Sequence, residues 1–377
     1  MFQAMTLEIL NMVLSERGGT FEDDIQIFIM MPCVGYAALA MINCYKIVSH
    51  REVYENLVKE LRDMYPEGEV TEEEYQVVSK ATTRVNYVVK GYYYSNVILL
   101  IAYMSRPYVA ALKGLLLGYQ PPRELLLLYY FPFDPYKPVV FEVITVVQTW
   151  QGVVAVLSLQ TGVMMFCILL CHISMQFDLL SIRVQRMLPV TTDKQLPSSY
   201  PLSQYTKIYK KDISTDDEMD KRVRQELNDI IVRHRALIRL AGTVEDLMSL
   251  PLLLNFCNST IIICFCGFCA VIVEKASEVV YKTFLLTSLM QTWLLCAYGH
   301  RLMESSVDFS DALYKCGWYR ATKRNCATLF IMMHRSQKAV RVVTYGFHTV
   351  LCLASYTTVI KTAWSYLSLL LNVYNKK

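Results

Sequence analysis

Charge is scarce in this chain. Acidic and basic side chains make up 19% of its 377 residues, whereas 54% of them are hydrophobic. A soluble domain typically carries about 25% charged residues and few apolar runs of spanning length. The net charge is only +4 and is clustered, a pattern that bears on membrane orientation rather than on nucleic acid. A disulfide framework is also lacking. The twelve cysteines group inside apolar runs, as with Cys167 and Cys171 or Cys257, Cys264, Cys266 and Cys269, where cysteine serves as a small buried hydrophobe. The Cys264-x-Cys266-x-x-Cys269 spacing suggests a metal, but on a helix these side chains diverge, and a zinc site needs converging ligands. His172, His234, His300 and His334 have no partners at catalytic or ligand spacing, and neither a nucleophile motif nor a phosphate loop is present. No enzyme chemistry and no cofactor is implied. The Asn258-Ser259-Thr260 sequon lies within an apolar run, which disfavours glycosylation.

What the chain does contain is repeated apolar stretches. A hydrocarbon core about 30 Å thick is crossed by roughly 20 apolar residues in a helix. Residues 25–47, 86–117, 139–180, 246–273, 280–299 and 347–373 are read as such spans, which predicts an all-α polytopic membrane protein. Residues 1–15 are apolar but too short to span, and they lack a signal peptide's basic start and cleavage site. Two readings stay open there. Either the chain has six spans, or this segment is the tail of a truncated first helix, and the acidic 16–24 stretch favours the second. Residues 118–138, rich in proline and aromatics, read as an ordered loop at the interface.

Between 181 and 240 the basic residues concentrate, whereas the loops near 118–138 and 273–282 hold few. Positive-inside bias therefore places 181–240 in the cytoplasm, with a Pro/Ser-rich middle at 196–203 that reads as mobile. Alternation then puts 300–345 inside and the C-terminus outside. With the partial first helix, the expectation is seven transmembrane helices with the N-terminus inside, opposite to a G-protein-coupled receptor.

Residues 299–370 carry the most information. Gly299, Glu304-Ser305, the Asp311/Tyr314/Trp318 cluster, Arg335-Ser336-Gln337, Gly346, Thr357 through Thr362 and Ser365-Tyr366 occur in order. Tyr130-Phe131-Pro132-Phe133-Asp134 and the phrase around Gln148 add to them. Together these resemble the signature of the insect odorant receptor family, nearly throughout the chain from residue 25. The resemblance implies a tuning subunit of an odour-gated, non-selective cation channel. Four subunits would surround one pore, with an odorant receptor co-receptor as partner, in the plasma membrane of a sensory neuron dendrite. Small volatile odorants and membrane lipid are its other implied partners.

Three parts follow from the resemblance: an odorant-binding bundle at 1–299 with a cytoplasmic loop at about 181–220, an anchor segment at 300–345, and a pore-lining last helix at 346–377. The family's pocket lies among the outer halves of the second to sixth helices. Matching candidates are Met30, Tyr36, Tyr94, Ile101, Tyr103, Gln148, Trp150, Phe284 and Ser288, although packing or an interfacial aromatic belt accounts equally well for each singly. Tyr314, Trp318, Arg335 and Gln337 are the anchor candidates. The last helix sets Thr357, Thr358, Lys361, Ser365, Ser368 and Asn372 in an apolar frame, a costly stripe in a membrane unless it faces water or protein. Leu369 and Val373, one turn apart, resemble the family's hydrophobic gate; packing against a neighbouring helix is the other reading.

Three alternatives are weighed. A gustatory receptor shares the topology, but its last helix typically ends in Gln-Phe, whereas this chain ends Asn372-Val373-Tyr374. The co-receptor has a longer second cytoplasmic loop than 181–220 provides. A transporter or membrane enzyme would need internal repeats or a polar catalytic cluster, and neither is found.

Overall fold

Helix signals in the sequence set where each segment starts and stops. The computed structural model describes residues 5–7, 9–10, 21–65, 71–118, 125–127, 129–188, 213–272 and 278–374. Eight α-helices are labelled among them: α1 Phe21–Ser49, α2 Arg51–Asp63, α3 Glu72–Leu117, α4 Pro138–Met187, α5 Ile213–Ile272, α6 Glu278–Lys315, α7 Lys323–Ser336 and α8 Leu353–Tyr374. A 3₁₀ turn, Trp318–Arg320, joins α6 to α7. The one β feature among the described residues is an isolated antiparallel bridge from Val343 to Val350.

α3 begins where the Glu74 carboxylate accepts hydrogen bonds from the Thr71 amide at 3.1 Å and the Thr71 hydroxyl at 2.8 Å. It ends at Gly118, whose φ of 70° is the left-handed conformation that closes a helix. Pro107 lies inside α3, and the segments on either side of residue 106 are bent by 47°. α4 opens on Pro138, a position where the missing amide hydrogen is no loss.

Each span expected from sequence overlaps a helix, but α3, α4, α5 and α6 are far longer than a bilayer crossing. α5 has 60 residues, about 90 Å of helix. Among the described residues, α4 and α5 meet the length and apolarity needed for a crossing without a bend, and the two segments of α3 together make a third. α8 is 22 residues long yet is not in that set, because hydroxyls, Lys361 and Asn372 interrupt its apolar frame.

Three boundaries differ from the sequence expectation. Helix continues to Met187 on one side of the basic loop and resumes at Ile213 on the other. Many of the basic residues there sit on helices with acidic partners. Arg183 bridges Glu226 at 2.6 Å and Asp229 at 2.8 Å, Arg186 reaches Glu73 at 2.9 Å, and Arg239 reaches Glu60 at 2.7 Å. The 196–203 segment lies outside the described residues. The boundary drawn at 299 falls within the continuous helix α6. The last helix begins at Leu353 rather than at 346 or 347. Residues 342–351 instead form a turn with positive φ at Gly346 and His348.

The core is built on the inner half of α4. From Leu159 to Leu180 it is buried on nearly every side, as expected for a helix apolar all round. α6, α5 and α3 pack against it. One continuous cluster joins Phe166, Leu170 and Phe177 of α4 to Leu302, Phe309 and Leu313 of α6, and reaches Leu329 and Met332 of α7. α2 adds Tyr54, Leu57 and Leu61 at helical spacing. At the far end, Asp220 of α5 accepts hydrogen bonds from Thr322 at 2.8 Å and Asn325 at 2.7 Å, tying the start of α7 to α5.

The turn before α8 docks on this core. Leu351 donates its amide to Val342 at 2.9 Å, and Tyr345 donates to the Ser249 carbonyl at 3.2 Å. Gly299 admits the close approach: a methyl there would lie 2.6 Å from Leu351 Cβ and 2.7 Å from its carbonyl oxygen. Gly299→Ala is therefore expected to destabilise the purified chain by about 1–3 kcal/mol, seen as a lower thermal midpoint. Gly242→Ala, where nothing lies within 4 Å of the added methyl, is expected to be neutral or mildly stabilising. Equal midpoints for both variants would show that the junction at Gly299 is not tightly held.

Candidate functional site

Two features of the bundle have functional character: a small apolar cavity and the exposed face of α8. The cavity measures about 80 Å³ and lies between α1, α3, α4 and α6. Its lining includes Tyr36 and Ala37 of α1, Leu99, Tyr103 and Met104 of α3, Gln151 and Gly152 of α4, and Phe284 of α6. The Phe284 ring centre lies 5.6 Å from that of Tyr103 and 5.7 Å from that of Tyr36, both edge-on, so three helices meet at one aromatic corner.

The loop before α4 forms part of the cavity wall. Leu127 and Tyr129 line it. Polar side chains hold that backbone in place: Tyr103 donates to the Leu126 carbonyl at 2.9 Å, and the Gln148 amide grips Leu127 twice. Its nitrogen donates to the Leu127 carbonyl at 2.7 Å, and its oxygen accepts from the Leu127 amide at 3.2 Å. Tyr129 donates to the Gln151 carboxamide oxygen at 2.8 Å, leaving few polar atoms for a ligand. Such a site selects small apolar molecules by shape.

Of the nine pocket candidates, Tyr36, Tyr103 and Phe284 come together at this cavity. Gln148 is buried but acts on the loop. Ser288 is fully buried on α6, away from the lining, and its hydroxyl has no partner among the described residues. Tyr94, Ile101 and Trp150 point outward, with Trp150 69% exposed. Met30 lies on α1 outside the described side chains. Helical phase separates the two groups. Asn96, Leu99 and Tyr103 form the inner face of α3, whereas Tyr94, Ile98 and Ile101 form the outer one. Gln151, Gly152 and Met104 were missed; the i, i+4 pairs Gln151/Ala155 and Gly152/Val156, all lining the cavity, were the available signal.

On α8 the exposed positions include Thr357, Thr358, Lys361, Thr362, Ser365, Ser368, Leu369, Asn372 and Val373 at helical spacing, with Trp364 and Tyr366 exposed beside them. The opposite face is anchored by buried Ala363 and Leu367. Each hydroxyl donates back into the helix's own backbone: Thr358 to Ala354 at 3.0 Å, Thr362 to Thr358 at 2.9 Å, Ser365 to Lys361 at 3.0 Å and Ser368 to Ser365 at 2.9 Å. Their hydrogens are thus committed, and the stripe presents oxygen lone pairs. Leu369 and Val373 are more than half exposed on the same face.

The cavity and α8 share one apolar cluster. Tyr36, Leu159, Ile262, Cys266 and Tyr281 pack with Leu367, and Phe284, Leu370 and Tyr374 border the same cluster. The anchor candidates lie at the other end. Tyr314, Trp318, Arg335 and Gln337 are all exposed, next to exposed Tyr319, Phe330 and Ile331. An apolar patch of this kind on a single chain is characteristic of an interaction surface.

Comparison with known proteins shows the family and the fold. The profile of the family described as 7tm Odorant receptor matches residues 26–364. Odorant receptor 85b of Drosophila melanogaster is 26% identical over 355 residues, spanning 91% of this chain and 81% of that protein. Odorant receptor 67c of the same organism is 25% identical over 352 residues, spanning 91% and 79%. Among solved structures, the insect olfactory receptor OR5 of Machilis hrabei in complex with eugenol superposes with a TM-score of 0.80. It is 14% identical and covers 99% of this chain and 86% of that one.

The cavity yields a direct expectation. Phe284→Ala and Gly152→Ala, whose added methyl would meet the flexible end of Met104, should each shift the potency of a small apolar ligand by about tenfold in a binding assay. Outward-facing Trp150→Ala should leave it within about twofold. The reverse ranking would place the ligand elsewhere.

Proposed function

The chain belongs to the 7tm odorant receptor family, and from that premise we propose that it is the odorant-tuning subunit of a ligand-gated, non-selective cation channel formed with a co-receptor. The observation that carries this reading is the polar face of α8. Hydroxyl oxygens along a membrane helix are costly unless they meet water or protein, and outward lone pairs suit a cation path. Leu369 and Val373 supply a hydrophobic constriction near one end of that face, which gates by dewetting. Lys361 puts a positive charge on the same stripe and so opposes cation flow through this subunit's share of the pore.

A volatile apolar molecule fills the cavity beside Tyr36, Tyr103 and Phe284. Tyr36 belongs to, and Phe284 borders, the packed cluster that holds the buried face of α8, so an arrangement that fits the ligand better also repositions the gate helix. The ligand opens the channel only by its difference in affinity for the two arrangements. Orientation follows the charge bias: the long helical extensions and α7 are cytoplasmic, and the chain ends outside. The apolar patch around Tyr314, Trp318 and Phe330 packs against the other subunits as an anchor. The protein works in the plasma membrane, in a sensory neuron's dendrite.

Current recording from cells expressing the chain with and without an insect co-receptor, under a panel of volatiles, tests this. An odour-evoked cation current that requires the co-receptor is expected. Leu369→Ser should raise the current without odorant, and Lys361→Gln should raise single-channel conductance. Surface-expressed protein that stays silent with the co-receptor across a broad panel would sink the channel reading.

A further inference from the structure

A second, larger cavity of about 790 Å³ opens between α3, α4, α6 and the foot of α8. It is distinct from the aromatic cavity, and its lining is graded. At one end lie Lys80 and Arg84 of α3, Asp178 of α4, and His300, Arg301 and Glu304 of α6. At the other lie Val88, Cys171, Trp293 and Leu294, with Leu353 of α8 also on the wall. The order is the same on all three long helices: charge at the end towards the basic extensions, apolar and aromatic groups towards the bilayer centre. A cavity polar at one end and apolar at the other matches a phospholipid, headgroup and chain.

The charges favour an anion. Asp178 is already bound to Arg301 at 2.7 Å, and Glu304 faces His300 Nε2 at 3.4 Å. Lys80 and Arg84, one helical turn apart and exposed, make no ion pair among the described residues. His300 adds no free donor at this end, because its Nδ1 is fully buried and its Nε2 faces Glu304. Positive-inside bias places this end at the cytoplasmic leaflet, where anionic lipids reside.

We propose that this cavity is a phosphate-binding site for an anionic phospholipid of the inner leaflet. Lys80 and Arg84 hold the phosphate, Arg301 borders it, and an acyl chain lies along Val88, Trp293 and Leu294. Because Leu353 begins α8, the bound lipid touches the base of the helix that carries the polar stripe. The site does not depend on what opens the channel.

Binding to the purified full-length chain in detergent tests this, with dioctanoyl phosphatidic acid, dioctanoyl phosphatidylcholine and inorganic phosphate as probes. Saturable binding of phosphatidic acid, on the order of tenfold tighter than phosphatidylcholine, is expected. Lys80→Ala with Arg84→Ala should weaken it by about tenfold or more, while Lys80→Arg with Arg84→Lys retains it and verifies folding. Glu304→Gln, which removes a like charge from the wall, should tighten it. Unchanged binding in the alanine pair, or equal affinity for phosphatidylcholine, overturns the site. Inorganic phosphate binding as tightly as the lipid would overturn the lipid assignment and leave a site for soluble phosphate.

Discussion

Inside a bilayer, a polar group that finds no partner within the protein finds none at all. The helical backbone meets that constraint by itself; side chains must meet it by pairing. In the middle of the bundle they do so in contacts between helices. Tyr92 of α3 donates to Gln291 of α6 at 3.0 Å, and Thr292 of α6 reaches Ser259 of α5 at 2.8 Å, which in turn donates to Asn255 at 3.2 Å. Lipid tails are as apolar as leucine, so burial alone does not press helices together there. These pairs help to fix which helices adjoin. Once α3, α5 and α6 are registered around α4, the aromatic cavity and the seat of α8 are set.

Secondary structure was legible because apolar runs of spanning length are a strong signal and proline, glycine and capping residues mark their ends. Helix ends beyond the membrane were less so. The extensions of α4 and α5 are polar and basic, which in isolation looks like loop, and only the facing carboxylates of Glu226, Asp229 and Glu73 make them helical surfaces. The start of α8 was misplaced for a similar reason. Val342, Thr344 and Leu351 are buried like helix residues, but they are buried in a turn that Gly346 and His348 allow.

The candidate site was partly readable. Aromatic residues near the right depth were visible in the sequence, but depth does not fix direction. On α3 a shift of two residues separates cavity-facing Tyr103 from outward-facing Ile101. Gln148 shows a different gap. Its buried amide was taken as a ligand group, yet both of its polar atoms are occupied by Leu127, and its neighbour Gln151 reaches the lining instead. No single-sequence pattern announces that a loop backbone will consume a side chain. The hydroxyls of α8, by contrast, were visible in the sequence, and their helical spacing matches the exposed positions of the helix.

The turn that joins α7 to α8 acts as a pivot. Its backbone is bonded to Ser249, and Leu351 is pressed against Gly299, so the foot of α8 is pinned to the most solid part of the molecule. Leu369 stands about 24 Å along the axis from Leu353. A tilt of about 5° about that pinned foot would carry Leu369 sideways by about 2 Å and Leu367, about 21 Å along, by nearly as much, so it must move with the apolar cluster around Leu367. Under the channel reading proposed above, a rearrangement at the aromatic corner, which borders that same cluster, would therefore reach Leu369 directly rather than through the foot of the helix.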